Sequence, residues 1–249
     1  MLVLPVFPQD EAPPTTGDTS EVSDYIADLM KRAEQGHVPS QYNLGVMHQN
    51  GRGVFQNYSE AANWYQLAAA QGHAPAQHNL GWMYQNGRGV PQDYKEAVRW
   101  YRAAAEQGYR DAQNKLGAMY DWGLGVSQDQ KEAAKWYLAA AQEGHSGAQF
   151  VLGDRYYFGN GVVQDSRLAA SWYLPAAEQG HAGAQHNLGV MYERGQGVPQ
   201  DYKEAARWYE AAAQQGHAGA QHNLGFTYDT GRGVPEDDAE AGRWYKLAV

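Results

Sequence analysis

The sequence predicts an all-α fold: a solenoid of six 36-residue helix-turn-helix repeats. Two observations carry the prediction. The stretch Ala76 to Gly108 returns as Ala184 to Gly216, 108 residues later, with 26 of 33 positions identical. Leu-Gly from Leu44-Gly45 to Leu224-Gly225 and Trp-Tyr from Trp64-Tyr65 to Trp244-Tyr245 each form a series of six at steps of 36 with no insertion, with one further Leu-Gly, Leu124-Gly125, outside the series. A fixed period of this size is the mark of stacked supersecondary units, each burying its apolar face on its neighbours.

Each unit divides into two helices. In the first, Ala76, Leu80 and Tyr84 lie four apart and share a face. Gly81 has no Cβ, so another helix can come close there. Gly87-Arg88-Gly89-Val90 ends this helix, because a glycine just past the last turn can adopt the left-handed conformation. The second helix starts at Asp93, which with Glu96 forms a capping box, each residue satisfying a free amide of the other. The same pair recurs as Asn57/Glu60, Asp129/Glu132, Asp201/Glu204 and Asp237/Glu240; the fourth unit breaks it, with Leu168 three residues after Asp165. Trp100, Tyr101 and an alanine run fill the second helix, which is expected to end at Gly108.

The units occupy 38–73, 74–109, 110–145, 146–181, 182–217 and 218–249. Before them, 20–37 is expected to form a capping helix with Val22, Ile26, Leu29 and Ala33 on its apolar side, covering the end of the stack. Residues 1–19, acidic and rich in proline, are expected to be disordered. Met1 to Phe7 is apolar but too short and too uncharged at its start for a good leader match. At the other end the chain stops within the helix of Trp244 and Tyr245, so truncation or self-association through an open end is expected.

The pattern L-G-x-M-Y-x-x-G-x-G-V-P-x-D-x-x-E-A-x-x-W-Y-x-x-A-A resembles the Sel-like repeat family, from about Val38 to the C-terminus. The resemblance implies a right-handed superhelix of helix pairs, related to tetratricopeptide repeats, and a role as an adaptor or scaffold. Cysteine-rich members of that family are associated with β-lactamase-like hydrolysis. This chain has no cysteine, which removes disulfides, thiol nucleophiles and thiolate metal sites and fits either cytoplasm or periplasm.

Leu, Ile, Val and Phe total only 37 of 249 residues, a level that usually warns of disorder. Here alanine, 8 Trp and 18 Tyr supply the packing instead. The net charge is −9, and Asp10, Glu11, Asp18, Glu21, Asp24 and Asp28 precede the first basic residue, Lys31. An acidic chain without a basic stripe is a poor nucleic-acid binder, which argues against an RNA-reading array. No long apolar run predicts a membrane span.

Residues constant across units serve the stack, so specificity is expected where units differ. In the first helix these are the columns of Tyr42, Val46, Gln49 and Asn50, spaced to form one face. By the tetratricopeptide relation they line the concave groove. Carried along the repeats, the partner-binding candidates are Tyr42, His78, Trp82, Asp121, Trp122, Phe150, Asp154, Tyr157, Phe158, Glu193, Phe226 and Asp229, with the main patch in units two to four. An aromatic and acidic groove predicts a partner protein or peptide with basic and apolar residues.

No catalytic residue, metal site or cofactor is predicted. The histidines His73, His145, His181 and His217, and His78, His186 and His222, recur with the repeat, which argues for packing or capping. No H-E-x-x-H, S-x-x-K or G-x-S-x-G occurs, and the paired glycines lack the Lys-Ser/Thr of a phosphate loop. The prediction is a non-enzymatic scaffold, with a β-lactamase-like hydrolase as the alternative.

Overall fold

Alanine-rich segments with a polar cap at the start and glycine at the end give short helices of near-equal length. A computed structural model describes residues 19–248, and among them there are thirteen α-helices and no strand. They are α1 (Thr19–Glu34), α2 (Val38–Asn50), α3 (Tyr58–Ala70), α4 (Ala74–Asn86), α5 (Tyr94–Ala105), α6 (Arg110–Trp122), α7 (Gln130–Gln142), α8 (Ser146–Phe158), α9 (Ser166–Glu178), α10 (Ala182–Arg194), α11 (Tyr202–Gln214), α12 (Ala218–Thr230) and α13 (Asp238–Leu247). The expected disordered stretch and leader-like residues lie outside the described residues, apart from Thr19, which already belongs to α1.

Two compact units are present, one carrying α1 to α6 and one carrying α7 to α13, divided at Gln128/Asp129. In the first, α1 lays Leu29 and Ala33 on Leu44 and Met47 of α2, with Ile26 and Trp64 at the margin. A second cluster gathers Ala61, Tyr65, Ala68 and Ala69 of α3 with Ala76, Leu80 and Met83 of α4 and Trp100 of α5. The second unit repeats this arrangement: Ala169, Tyr173, Ala176 and Ala177 of α9 pack with Ala184, Leu188 and Met191 of α10 and Trp208 of α11. The face expected to carry Tyr84 is led instead by Met83, which is fully buried, while Tyr84 sits half-buried at the edge. The side chain three residues after Leu80 points more squarely into the neighbouring helix than the one four after.

The Leu-Gly and Trp-Tyr dipeptides meet. In five of the pairs the tyrosine of the second helix lies against the glycine of the first, from Gly45 and Tyr65 to Gly225 and Tyr245: a Cβ at Gly81 would come 2.8 Å from Tyr101, and at Gly189 2.7 Å from Tyr209. Ordinary carbon contacts need about 3.5–4 Å, so glycine is the only residue that leaves room for the ring.

The loop glycines do two jobs. Gly87 takes the left-handed conformation (φ 62°) and its N–H reaches the Met83 carbonyl, closing α4 as expected. At Gly89 (φ 74°) a Cβ would collide with the backbone of Tyr58 in the previous repeat, so this glycine is a packing contact.

Two local expectations need correction. The Asp93 carboxylate accepts from the Lys95 and Glu96 amides, but the return half of the capping box is absent. The Asp93 amide is taken by the Tyr84 carbonyl at 2.9 Å, which ties the loop to the first helix, and Glu96 pairs with Arg99. Asp165 therefore caps α9 as well as the others do, through the Arg167 and Leu168 amides, although Leu168 cannot reciprocate. The second helices also stop short of their glycines: α5 ends at Ala105, and the Gly108 and Tyr109 amides fold back onto the Ala105 and Ala104 carbonyls.

Candidate functional site

The first helices place the candidate residues in three kinds of surroundings. Those of the Tyr42 column are wedged between aromatic rings. Tyr42 packs on Tyr65 (5.9 Å between centroids) and on His73 of the next repeat (4.8 Å). His78 lies between Tyr101 and Tyr109, and Phe150 between Tyr173 and His181, stacked on the latter at 4.4 Å. These side chains are half-buried and join one repeat to the next. Burial pushes the Tyr109 hydroxyl up to about 12 and raises Tyr42 as well.

A second group is held by hydrogen bonds. The hydroxyls of three buried tyrosines donate to the Gln49 column: Tyr65 to Gln49 and Tyr101 to Gln85, both at 2.7 Å, and Tyr209 to Glu193 at 2.5 Å. In the fourth repeat that column holds Tyr157, which has no carbonyl or carboxylate to accept the bond. The acceptor moves back one turn to Asp154, which Tyr173 reaches at 2.5 Å. Asn187 of the following repeat donates to Asp154 (3.1 Å) and to the Tyr173 hydroxyl (3.2 Å), closing a link between repeats. Burial raises the Asp154 carboxyl above its ordinary value, against the opposing pull of these two donors. Burial, then the neighbouring Asp154, pushes the Tyr173 hydroxyl far above the usual phenol range. Tyr157 itself donates to Gln196 at 2.9 Å.

The third group is open to solvent. Trp122 is 76% exposed and Phe158 63%, and Phe226 is 39% exposed. Asp229 is exposed, and Trp82 and Asp121 are half-buried. Tyr157 meets Phe158 edge to face at 4.9 Å, and Arg232 lies over the Phe226 ring at 5.8 Å. Trp82, Asp121 and Trp122 belong to the first compact unit, and Phe150, Asp154, Tyr157, Phe158, Glu193, Phe226 and Asp229 to the second. Val46, expected to share the Trp82 column's surface, is fully buried in the core of its repeat and offers none.

Arg155, which marks the fourth unit as divergent by replacing the usual methionine, is not among the candidates and is buried. Its guanidinium donates to the Gln130 carbonyl and side chain and to the Asn160 carbonyl, and lies over the Tyr137 ring at 5.2 Å. The missing methionine marked the position; that a cation could be housed there depended on carbonyls from a preceding helix.

Among the described residues, no cluster of three His, Asp or Glu side chains could hold a metal ion, and no helix is long and apolar enough to cross a membrane. What the geometry defines is an α/α solenoid whose recurrent side chains are spent on stacking.

The chain belongs to the Sel1 repeat family: it matches that family at 38–73, 74–109, 110–145, 146–181, 182–217 and 218–249. Among solved structures it resembles the protective antigen c5321 of uropathogenic Escherichia coli, which displays an SLR fold, at 38% identity and a TM-score of 0.86 over 90% of this chain and 48% of that one. The chain thus spans about half the length of that antigen. A Sel1 repeat protein from Oxalobacter formigenes is 34% identical over 92% of both chains, with a TM-score of 0.79. The immunity protein PA5088 of Pseudomonas aeruginosa shares the fold at 20% identity and a TM-score of 0.52. No curated protein matches the chain. Sel1 repeat proteins generally serve as protein-interaction scaffolds, and the fold is typically non-enzymatic.

Proposed function

We propose that this chain is a non-enzymatic scaffold that binds a protein or peptide along the face of its first helices, the side that lines the groove in tetratricopeptide-like arrays. The observation that carries the reading is a contrast between two sets of aromatics. Those recurring at the repeat period are buried or wedged between repeats, whereas Trp122, Phe158 and Phe226, which depart from the pattern, stand in solvent. Large exposed rings are typical anchors of interfaces, each worth about 2 kcal/mol or more when it fills a partner's pocket.

The partner's expected chemistry shifts with the geometry. Asp154 and Glu193 each accept a tyrosine hydroxyl within the fold, so less of the acidic character faces outward. The partner segment is chiefly apolar, with basic residues suited to Asp229. The hydrolase alternative has no S-x-x-K or G-x-S-x-G to carry it.

The test is affinity capture from host lysate with the wild type beside a Trp122→Ala/Phe158→Ala/Phe226→Ala variant of equal helicity. A protein enriched by the first and lost from the second is the expected result. The same proteins on both baits would overturn the placement.

A further inference from the structure

Five of the six first helices begin at a histidine, and in four of them the ring works as the cap. The Nδ1 atoms of His73, His145, His181 and His217 accept the amide N–H of Ala76, Ala148, Ala184 and Ala220 at 3.0–3.3 Å. His37 bonds Ser40 instead, and Tyr109 at the head of α6 gives no side-chain cap. The same histidines also close the preceding helix: the His73 amide reaches back to the Ala68 carbonyl, and those of His145, His181 and His217 reach Ala140, Ala176 and Ala212. One residue thus ends one repeat and starts the next. Their rings serve the junction a third time, since Tyr42, Phe150 and His186 pack on His73, His181 and His217, the last pair stacked at 4.7 Å.

We propose that these histidines make the array acid-sensitive, because each cap works only while the imidazole is neutral. An Nδ1 that accepts a hydrogen bond cannot carry a proton, so protonation replaces the acceptor with a donor facing a donor. It also sets a positive charge at the positive end of a helix dipole. The titratable groups that face His73, His181 and His217 do not offset that charge. His73 faces Tyr42 of α2; His181 faces Phe150 of α8 and lies near His145 and His217; His217 faces His186 of α10, which in turn lies against Tyr209 of α11 and Asn223 of α12.

The direction of the pH effect follows. Burial lowers the His73, His181 and His186 imidazoles below their ordinary value, and neighbouring imidazoles lower the last two further. The unfolded chain takes up protons near pH ~6.5 while the folded chain resists them until lower pH. The stability these groups contribute is therefore full above about pH 6.5 and is lost as the pH falls below it. This inference stands apart from the scaffold reading and predicts that the repeat junctions loosen in a mildly acidic compartment.

Asparagine tests it, since an Asn cap accepts the same bond without titrating; Asn57 already caps α3 in this way. The melting temperature of the wild type, followed by circular dichroism, should fall by more than about 5 °C between roughly pH 7.5 and pH 5.5. A His73→Asn/His145→Asn/His181→Asn/His217→Asn variant should lose most of that fall. A wild type that melts alike at both pH values, or a variant that falls as far as the wild type, overturns the proposal. Should the variant not fold, amide NMR of the wild type decides. The Ala76 and Ala184 N–H resonances, bonded to His73 and His181, should shift across this range while Ala112, behind the uncapped Tyr109, stays; equal shifts at all three would refute it.

Discussion

Replacing Gly189 with alanine should destabilise the protein, against the helix preference of alanine itself. The new methyl would lie 2.7 Å from two ring carbons of Tyr209 and 3.3 Å from the Ala205 carbonyl oxygen. Contact at about 3.5–4 Å requires the α10–α11 pair to part by roughly 1 Å, or the ring to leave its place. The ring is held: Tyr209 is buried and its hydroxyl is bonded to Glu193. Because the ring is held, the cost lies in the upper part of the range for overpacking, about 2–3 kcal/mol, and the helix preference returns about 1 kcal/mol, leaving a net loss of about 1–2 kcal/mol. For a chain of this size that is a fall of about 2–8 °C in melting temperature. Gly242 supplies the control, because a Cβ there meets nothing within 4 Å. Gly242→Ala should raise stability by about 0.5–1 kcal/mol. Thermal melts of both variants at neutral pH measure the difference. If Gly189→Ala is as stable as wild type, the glycine-on-tyrosine contact does not set the spacing of the helix pair.

Three further outcomes follow from the caps, the hydrogen-bond link and the open rings. Asp165→Ala should cost about 1 kcal/mol by loss of the α9 cap, whereas Leu168→Glu, which restores the capping-box sequence, should gain no more than a few tenths in the same melts, because the Asp165 amide is already held by the Tyr156 carbonyl. Asp154→Asn keeps an oxygen for the Tyr173 hydroxyl and removes a half-buried charge, so stability at pH 7 should hold or rise by up to about 1 kcal/mol in chemical denaturation; Asp154→Ala should lower it. Trp122→Ala and Phe158→Ala, each tested singly, should change stability by no more than about 0.5 kcal/mol, since both rings are exposed.

The architecture was readable because a solenoid repeats its packing in the order of the chain. The Leu-Gly and Trp-Tyr periods gave six helix pairs without any long-range contact having to be guessed, and the recurring histidines pointed to packing or capping. What the pattern could not show is where bonds go once helices meet. The capping-box sequence at Asp93 and Glu96 was present, yet the Asp93 amide had a better-placed partner in the Tyr84 carbonyl. The variable columns marked a face of the first helix, but exposure along it depends on neighbours: Val46 is sealed in, Tyr42 and Phe150 are wedged between rings, and Phe158 is open. The sequence offers Asp154 to a partner, but Tyr157, standing where the other repeats carry Gln, Asp or Glu, leaves the Tyr173 hydroxyl in need of a new acceptor, and Asp154 supplies it. That exchange has a signal, an acid appearing three residues before the position that lost its acceptor, and it could be sought in other repeats of this kind.

The most direct test of the scaffold account is hydrogen–deuterium exchange of the full chain with and without a partner recovered by the wild type and lost from the triple variant. The account predicts protection on the first helices, at peptides spanning Trp82, Trp122, Phe158 and Phe226. Protection confined to the second helices, around the exposed Leu67, Leu168 and Leu174, would contradict it and place recognition on the opposite side of the repeats.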